Sequence, residues 1–180
     1  MWAEALDCLF QKMPRDLLGR CRAVSVSGQQ HGTVWWATTQ ELSHLNPALP
    51  LCAQLKNSFS LLESPIWMDT STNVQCRELE TAMGGADALC RATGSRAYER
   101  FSGPQIMRIR SERPQVYSAT ERISLVSSFI PSLLAGRVAP IDASDASGMN
   151  LLDITTGQWH MKCLSAVDPE ETLIISGRMA

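Results

Sequence analysis

Ala23-Val24-Ser25-Val26-Ser27-Gly28-Gln29-Gln30-His31-Gly32-Thr33-Val34-Trp35-Trp36 is the stretch on which the fold reading turns. Its first five residues alternate apolar and small polar side chains, as a half-buried strand does, and Thr33–Trp36 reads as a second strand. Between them lies a loop with glycine at both ends, which can expose the three polar side chains of Gln29, Gln30 and His31. Loops held by rigid strands are the usual carriers of binding chemistry.

Outward from this stretch, the apolar spacing of Trp2, Leu6, Leu9, Phe10 and Met13 predicts an amphipathic helix over about 2–18, complicated by Pro14 and stopped at Gly19. Residues 37–64 read as an excursion with one short helix near 51–55. Pro65–Asp69 reads as a brief buried strand. Asp69, Thr70, Ser71 and Thr72 then supply capping chemistry for a helix through about Met83, broken at Gly84-Gly85. A short helix follows over 86–92, ended by Thr93-Gly94, and another over about 105–112, opened by Pro104. Ile123–Phe129 fits either a buried strand or the start of a helix. A helical turn is expected from Pro131 to Gly136 and a polar loop from Asp142 to Ser147. Residues 157–168 read as a helix, and the tail carries Ile174-Ile175-Ser176-Gly177. The class is α/β.

Composition sets outer bounds. Of 180 residues 44% are hydrophobic and 19% charged, enough to build a packed core and unlike a disordered chain. A net charge of −2 gives no electrostatic footprint for nucleic acid or an anionic membrane. No stretch is apolar and long enough to span a bilayer, and Met1-Trp2-Ala3-Glu4 lacks the order of a secretory signal. The cysteines (8, 21, 52, 76, 90 and 163) contain no CxxC pair, and the histidines are as scattered. No metal site is expected, and reduced thiols point to a cytoplasmic protein.

Four segments, in order, resemble the FGGY family of carbohydrate kinases and, within it, the xylulose kinases. They are Ser27–Gly32, Pro65–Asp69, Thr93–Gly103 and Ile141–Leu152. The resemblance implies a fold of two ribonuclease-H-like, actin-like ATPase domains, each a mixed sheet with flanking helices, with sugar and nucleotide meeting between them. Residues 1–167 would correspond to part of the N-terminal, sugar-binding domain, and 168–180 to a divergent tail. The implied reaction is ATP-dependent phosphorylation of D-xylulose to D-xylulose 5-phosphate, with ATP and Mg²⁺ bound by elements expected outside this sequence. So is the aspartate that serves as base. The 180 residues alone are therefore expected to be inactive, and no catalytic residue is assigned among them. A non-catalytic truncated isoform that binds sugar weakly or regulates the full-length enzyme is the alternative, and an unstable truncation a third.

The resemblance also names the pocket. His31, with Gln30 beside it, falls where the sugar-contacting histidine of the xylulose kinases lies. An imidazole offers one donor and one acceptor in a fixed plane; the competing reading is a histidine satisfied within a turn. Arg100 lies in a stretch that supplies another polyol contact, its five donors able to bridge two oxygens, against a surface arginine paired with Glu99 or Glu112. Trp67 and Asp69 match a Trp-x-Asp stretch at the pocket edge, against a core tryptophan and a helix cap. Asp142 and Asp145 are read as structural or, at most, as support for the site.

Overall fold

A computed structural model describes residues 1–169. In chain order they form α1 (Trp2–Lys12), α2 (Arg15–Arg20), β1 (Thr33–Trp36), a 3₁₀ turn (Gln40–His44), α3 (Leu51–Gln54), β2 (Phe59–Leu61), α4 (Asn73–Met83) and α5 (Ala86–Thr93). There follow α6 (Ser102–Glu112), α7 (Pro114–Ser118), β3 (Arg122–Leu125), α8 (Val126–Ala135), α9 (Ala143–Ser147), β4 (Leu152–Asp153), β5 (Gln158–Trp159) and α10 (Met161–Val167).

β1 is the centre of a three-stranded sheet of order β2-β1-β3, both pairings antiparallel. Trp35 faces Ile123 across one ladder and Leu61 across the other. Because side chains alternate along a strand, β1 feeds two cores. Trp35 joins Leu79, Leu89, Ile106, Ile123, Met149, Leu151 and Leu164 on the side covered by α4, α6 and α10. Val34 and Trp36 join Ala3, Leu6, Leu55, Phe129 and Leu133 on the side covered by α1 and α8. Both indoles are fully buried, and each satisfies its N–H: Trp35 Nε1 on Thr33 Oγ1 at 2.9 Å, Trp36 Nε1 on Ser124 Oγ at 3.0 Å. An unpaired buried donor would be costly.

Several elements differ from the sequence expectation. Ala23–Ser27 forms no strand: Val24 is exposed, and no other described strand pairs with this segment. Alternation gave the right kind of residues, but a strand exists only with a neighbour to bond. Pro65–Asp69 is a turn rather than a buried strand, closed by the Asp69 amide on the Ile66 carbonyl at 2.9 Å, with Ile66, Trp67 and Met68 exposed. The strand in that region is β2, slightly earlier. The helix expected over 2–18 is two helices, separated at Met13-Pro14, where proline lacks the amide that would continue the ladder. Residues 123–129 are divided between β3 and α8, and the polar run at 142–147 is the short helix α9, capped by Asp142 through the Ser144 amide at 2.8 Å. The helix expected over 157–168 begins only at Met161, after β5. From residue 170 the divergent tail, with Ile174–Gly177, lies outside the described residues.

Candidate functional site

The loop between Ser27 and Thr33 lies against the start of α8 at both ends and is hydrogen-bonded to it at Gly32. A side chain on Gly28 would run into the backbone: its Cβ would collide with the Ser127 amide nitrogen and lie 2.8 Å from the Val126 carbonyl carbon. A Cβ on Gly32 would meet Val126 Cγ2 at 2.9 Å, and the Gly32 carbonyl accepts from the Val126 amide at 3.2 Å. The Gly32 amide in turn donates to the Gln29 carbonyl at 3.3 Å. Within this tight turn His31 adopts a left-handed backbone, φ 62°. Histidine is among the few non-glycine residues found there with some frequency.

His31 is partly buried, its ring centroid 4.7 Å from that of Phe101. A Cβ on Gly148 would come within 3.3 Å of His31 Cε1, so the glycine after α9 leaves the imidazole its space. Burial lowers the His31 pKa from its ordinary value and the positive charge of Arg100 lowers it further; the Gly148 backbone and the Asp145 carboxylate pull the other way without prevailing. The neutral ring, one donor and one acceptor, is thereby favoured at neutral pH. Gln30, His31, Ser127, Ser144, Asp145 and Gly148 help line a cavity of about 60 Å³. That is a niche for one or two hydroxyl-sized groups, well short of the few hundred Å³ of a whole ligand pocket.

Arg100, 69 positions further along the chain, does not line that niche but approaches the Phe101 ring on which His31 packs. Its guanidinium carbon stands 5.8 Å from the Phe101 ring centroid and 5.2 Å from that of Tyr98. Arg96 lies against the same Tyr98 ring at 5.3 Å, and Tyr98 packs edge-on to Phe101 at 5.4 Å. No ion pair within 4.0 Å joins Arg100 to Glu99 or Glu112 among the described residues, although the Arg100 charge helps lower the Glu99 pKa: Arg108 holds Glu112 at 2.9 Å, and the Glu99 carboxylate accepts from Asn73 Nδ2 at 3.3 Å. Arg100 is exposed, and no carboxylate lies within 4.0 Å of it among the described residues.

Asp69 is not a helix cap. Thr72 occupies the position before α4, and its hydroxyl donates instead to the Glu99 carbonyl at 2.6 Å. Asp69 Oδ1 accepts from the Ser71 amide at 2.8 Å, from the Ser71 hydroxyl and from Gln105 Nε2 at 3.0 Å; Oδ2 lies 3.6 Å from Arg108 Nη1. Burial pushes the carboxyl pKa up, but the Ser71 hydroxyl and amide, Gln105 and Arg108 together hold it below the usual value. Gln105 Nε2 also donates to the Glu99 carbonyl at 2.8 Å, tying Asp69 to the residue before Arg100. Trp67 is 51% exposed, which rules out the core reading, and it makes no ring contact with the His31–Phe101 pair. His31 and Arg100 thus meet at Phe101, Gln30 shares the niche beside His31, Asp69 is tied through Gln105 to the residue before Arg100, and Trp67 makes none of these contacts. Sequence reasoning missed Phe101, Gly148 and the Gln105–Arg108 brace, which only the long-range packing brings in.

Among the described residues no three His, Cys, Asp or Glu side chains converge as a metal site would require, and no helix is long and apolar enough to cross a membrane. All six cysteines are free.

Comparison with known proteins places this geometry. The N-terminal domain profile of the FGGY family of carbohydrate kinases matches residues 1–176. The chain is 53% identical over 173 residues to a xylulose kinase of Rattus norvegicus, covering 94% of this chain and 32% of the rat protein. It is 51% identical over 170 residues to xylulose kinase 2 of Arabidopsis thaliana, covering 92% of this chain and 30% of that protein. It therefore spans about a third of the length of these curated relatives. Among solved structures, xylulose kinase from Bifidobacterium adolescentis superposes with a TM-score of 0.65 at 18% identity, over 92% of this chain and 35% of that one. At such identity the likeness establishes the fold, the actin-like ATPase architecture of these kinases. With its fold, its sequence and nearly its whole length in agreement, the chain belongs to the FGGY family of carbohydrate kinases, as part of the N-terminal domain.

Proposed function

We propose that these residues form the sugar side of an ATP-dependent xylulose kinase, in which D-xylulose is phosphorylated to D-xylulose 5-phosphate. The approach of His31 and Arg100 to the same Phe101 ring carries this reading. In an open-chain ketose neighbouring oxygens lie close together. A neutral imidazole can orient one hydroxyl and a guanidinium can bridge two others. Gln30 adds an amide at the mouth of the niche, Asp69 holds the Arg100 segment in place and can accept from a hydroxyl, and Trp67 offers an indole face to sugar C–H groups. ATP with Mg²⁺ is the co-substrate of this family. The role given to these residues is to bind and orient sugar. The free cysteines support a cytoplasmic setting.

Because the niche is small and exposed, the 180-residue chain by itself should bind D-xylulose only at about millimolar Kd, ~4 kcal/mol, and should not transfer phosphate. Isothermal titration with D-xylulose tests this. Heat of binding that disappears in both His31→Ala and Arg100→Ala supports the reading. A folded chain that gives no heat at millimolar sugar, or variants that bind as the parent does, would exclude it.

A further inference from the structure

The strip Gly148–Leu151 touches both halves of the cluster. Gly148 packs on His31. The Met149 carbonyl accepts from the Gly103 amide at 3.0 Å, and the Leu151 carbonyl from the His160 amide at 2.8 Å. Between them Asn150 has a left-handed backbone, φ 59°, and is fully buried. Its Nδ2 faces four acceptors on the loop that leads to Arg100: Thr93 Oγ1 at 3.2 Å, Ser95 Oγ at 3.2 Å, the Ser95 carbonyl at 3.3 Å and the Arg96 carbonyl at 3.4 Å. Two amide hydrogens are shared among these four. The Oδ1 atom is buried without a partner. Burying half an amide unsatisfied costs stability, and what the residue supplies in return is the donor pair aimed at the loop.

Resting on the sugar-site reading above, we propose that Asn150 is a positioning residue: by clamping residues 93–96 from the strip that packs on His31, it fixes where the Arg100 guanidinium stands relative to the imidazole. The path is short. Arg96 leaves the clamp and lies on one side of Tyr98, and Arg100 lies on the same ring. Asparagine suits the task on two counts: it tolerates the left-handed conformation, and it donates where aspartate would set a carboxylate against four acceptors. From the far side, Thr72 and Gln105 hold Glu99, so loss of the clamp should let the loop drift without releasing it altogether.

The test uses the whole chain and reads the His31 titration by NMR, which requires no sugar. The groups that bear on this imidazole are Arg100, Asp145 on α9 and the Gly148 backbone. Arg100→Ala should raise the His31 midpoint toward its ordinary value of 6.5. Asn150→Gly, which keeps the left-handed backbone, should raise it in the same direction, and the double variant should go no further than Arg100→Ala alone. In calorimetry Asn150→Gly should weaken D-xylulose about tenfold, and again add nothing in the Arg100→Ala background, since residues acting as one unit are not additive. Should Asn150→Gly fail to fold, Thr93→Ala removes one acceptor and should give a smaller rise of the same sign. An unmoved His31 midpoint in the folded variant, or full additivity with Arg100→Ala, would overturn the proposal. A wild-type chain that binds no D-xylulose would remove the sugar role, while the titration would still judge the clamp.

Discussion

Gly28→Ala adds a single methyl group, and the structure assigns its effect a sign. The new carbon would collide with the Ser127 amide nitrogen and stand 2.8 and 2.9 Å from Val126 and Ser127 backbone carbons. These atoms belong to the first turn of α8 and cannot rotate away as a side chain could; the helix must move. Overpacking of this kind costs ~1–3 kcal/mol. Against it stands the entropy lost by the unfolded chain when glycine becomes alanine, worth ~0.4–1 kcal/mol to the fold, because Gly28 does not need a positive φ. The difference is a destabilisation of about 1–2 kcal/mol, or a Tm lower by about 2–8 °C at the sensitivity of a domain this size. Gly19→Ala is the control. It sits in α2 with nothing within 4 Å, so the better helix former should stabilise by up to ~1 kcal/mol. Thermal unfolding by circular dichroism compares the two. A Gly28→Ala chain as stable as wild type would show that the loop is not pressed against α8, and the account of how His31 is held would fail.

Three further outcomes follow from the electrostatics. The folded-state pKa of His31 lies below 6.5, so as pH falls from about 8 to about 5 the unfolded chain takes up the proton first and stability declines with it. His31→Gln should remove that part of the Tm–pH profile, and a profile unchanged by the substitution would contradict the lowered pKa. The Asp69 carboxyl has a depressed pKa; its stabilisation is present above the ordinary 3.8 and is lost as pH falls through the lower folded value, so Asp69→Asn should cost about 1 kcal/mol at neutral pH and flatten the acid limb of the unfolding curve. Burial pushes the Cys76 and Cys163 thiols up to about 11. Iodoacetamide at about pH 8 should therefore label Cys8, Cys21, Cys52 and Cys90 and spare those two in the folded chain; mass spectrometry showing all six modified at one rate would refute the assignment.

What was legible in the sequence was local chemistry. The glycines at 84–85, 94 and 136 end helices where left-handed backbone is needed, and Thr33–Trp36 is a strand because its own residues suit both buried faces. What was not legible depended on partners. Val24 and Val26 carry the pattern of a strand, yet among the described residues no strand lies beside them. Asp69 has the composition of a cap, yet Ser71, Gln105 and Arg108 compete for its oxygens and win. In the site, His31 and Arg100 were found by resemblance, and the periodicity of neither segment could have joined them. Phe101, which both approach, reads in sequence as one more apolar residue before a helix.

The strained geometry at His31 has a cause that can be traced. Gly28 lies close against the first turn of α8 and Gly32 is hydrogen-bonded to it, so the three residues between them turn within a short span. The turn closed by the Gly32 amide on the Gln29 carbonyl is of the kind that carries a left-handed residue at its third position, here His31, and glycine would supply it most cheaply. Placing histidine there instead accepts a backbone cost of order 1 kcal/mol, and gains a side chain aimed at Phe101 and Gly148 from a backbone that has little freedom to turn it elsewhere. His31→Gly relieves that strain but frees the unfolded chain by ~0.4–1 kcal/mol and gives up the Phe101 contact, so it should destabilise by no more than about 1 kcal/mol, while sugar binding vanishes. That separation of stability from binding distinguishes a residue kept for its contact from one kept for its turn. If His31→Gly destabilises the chain as much as a buried-core truncation does, the imidazole is a packing element and the strain has no functional meaning.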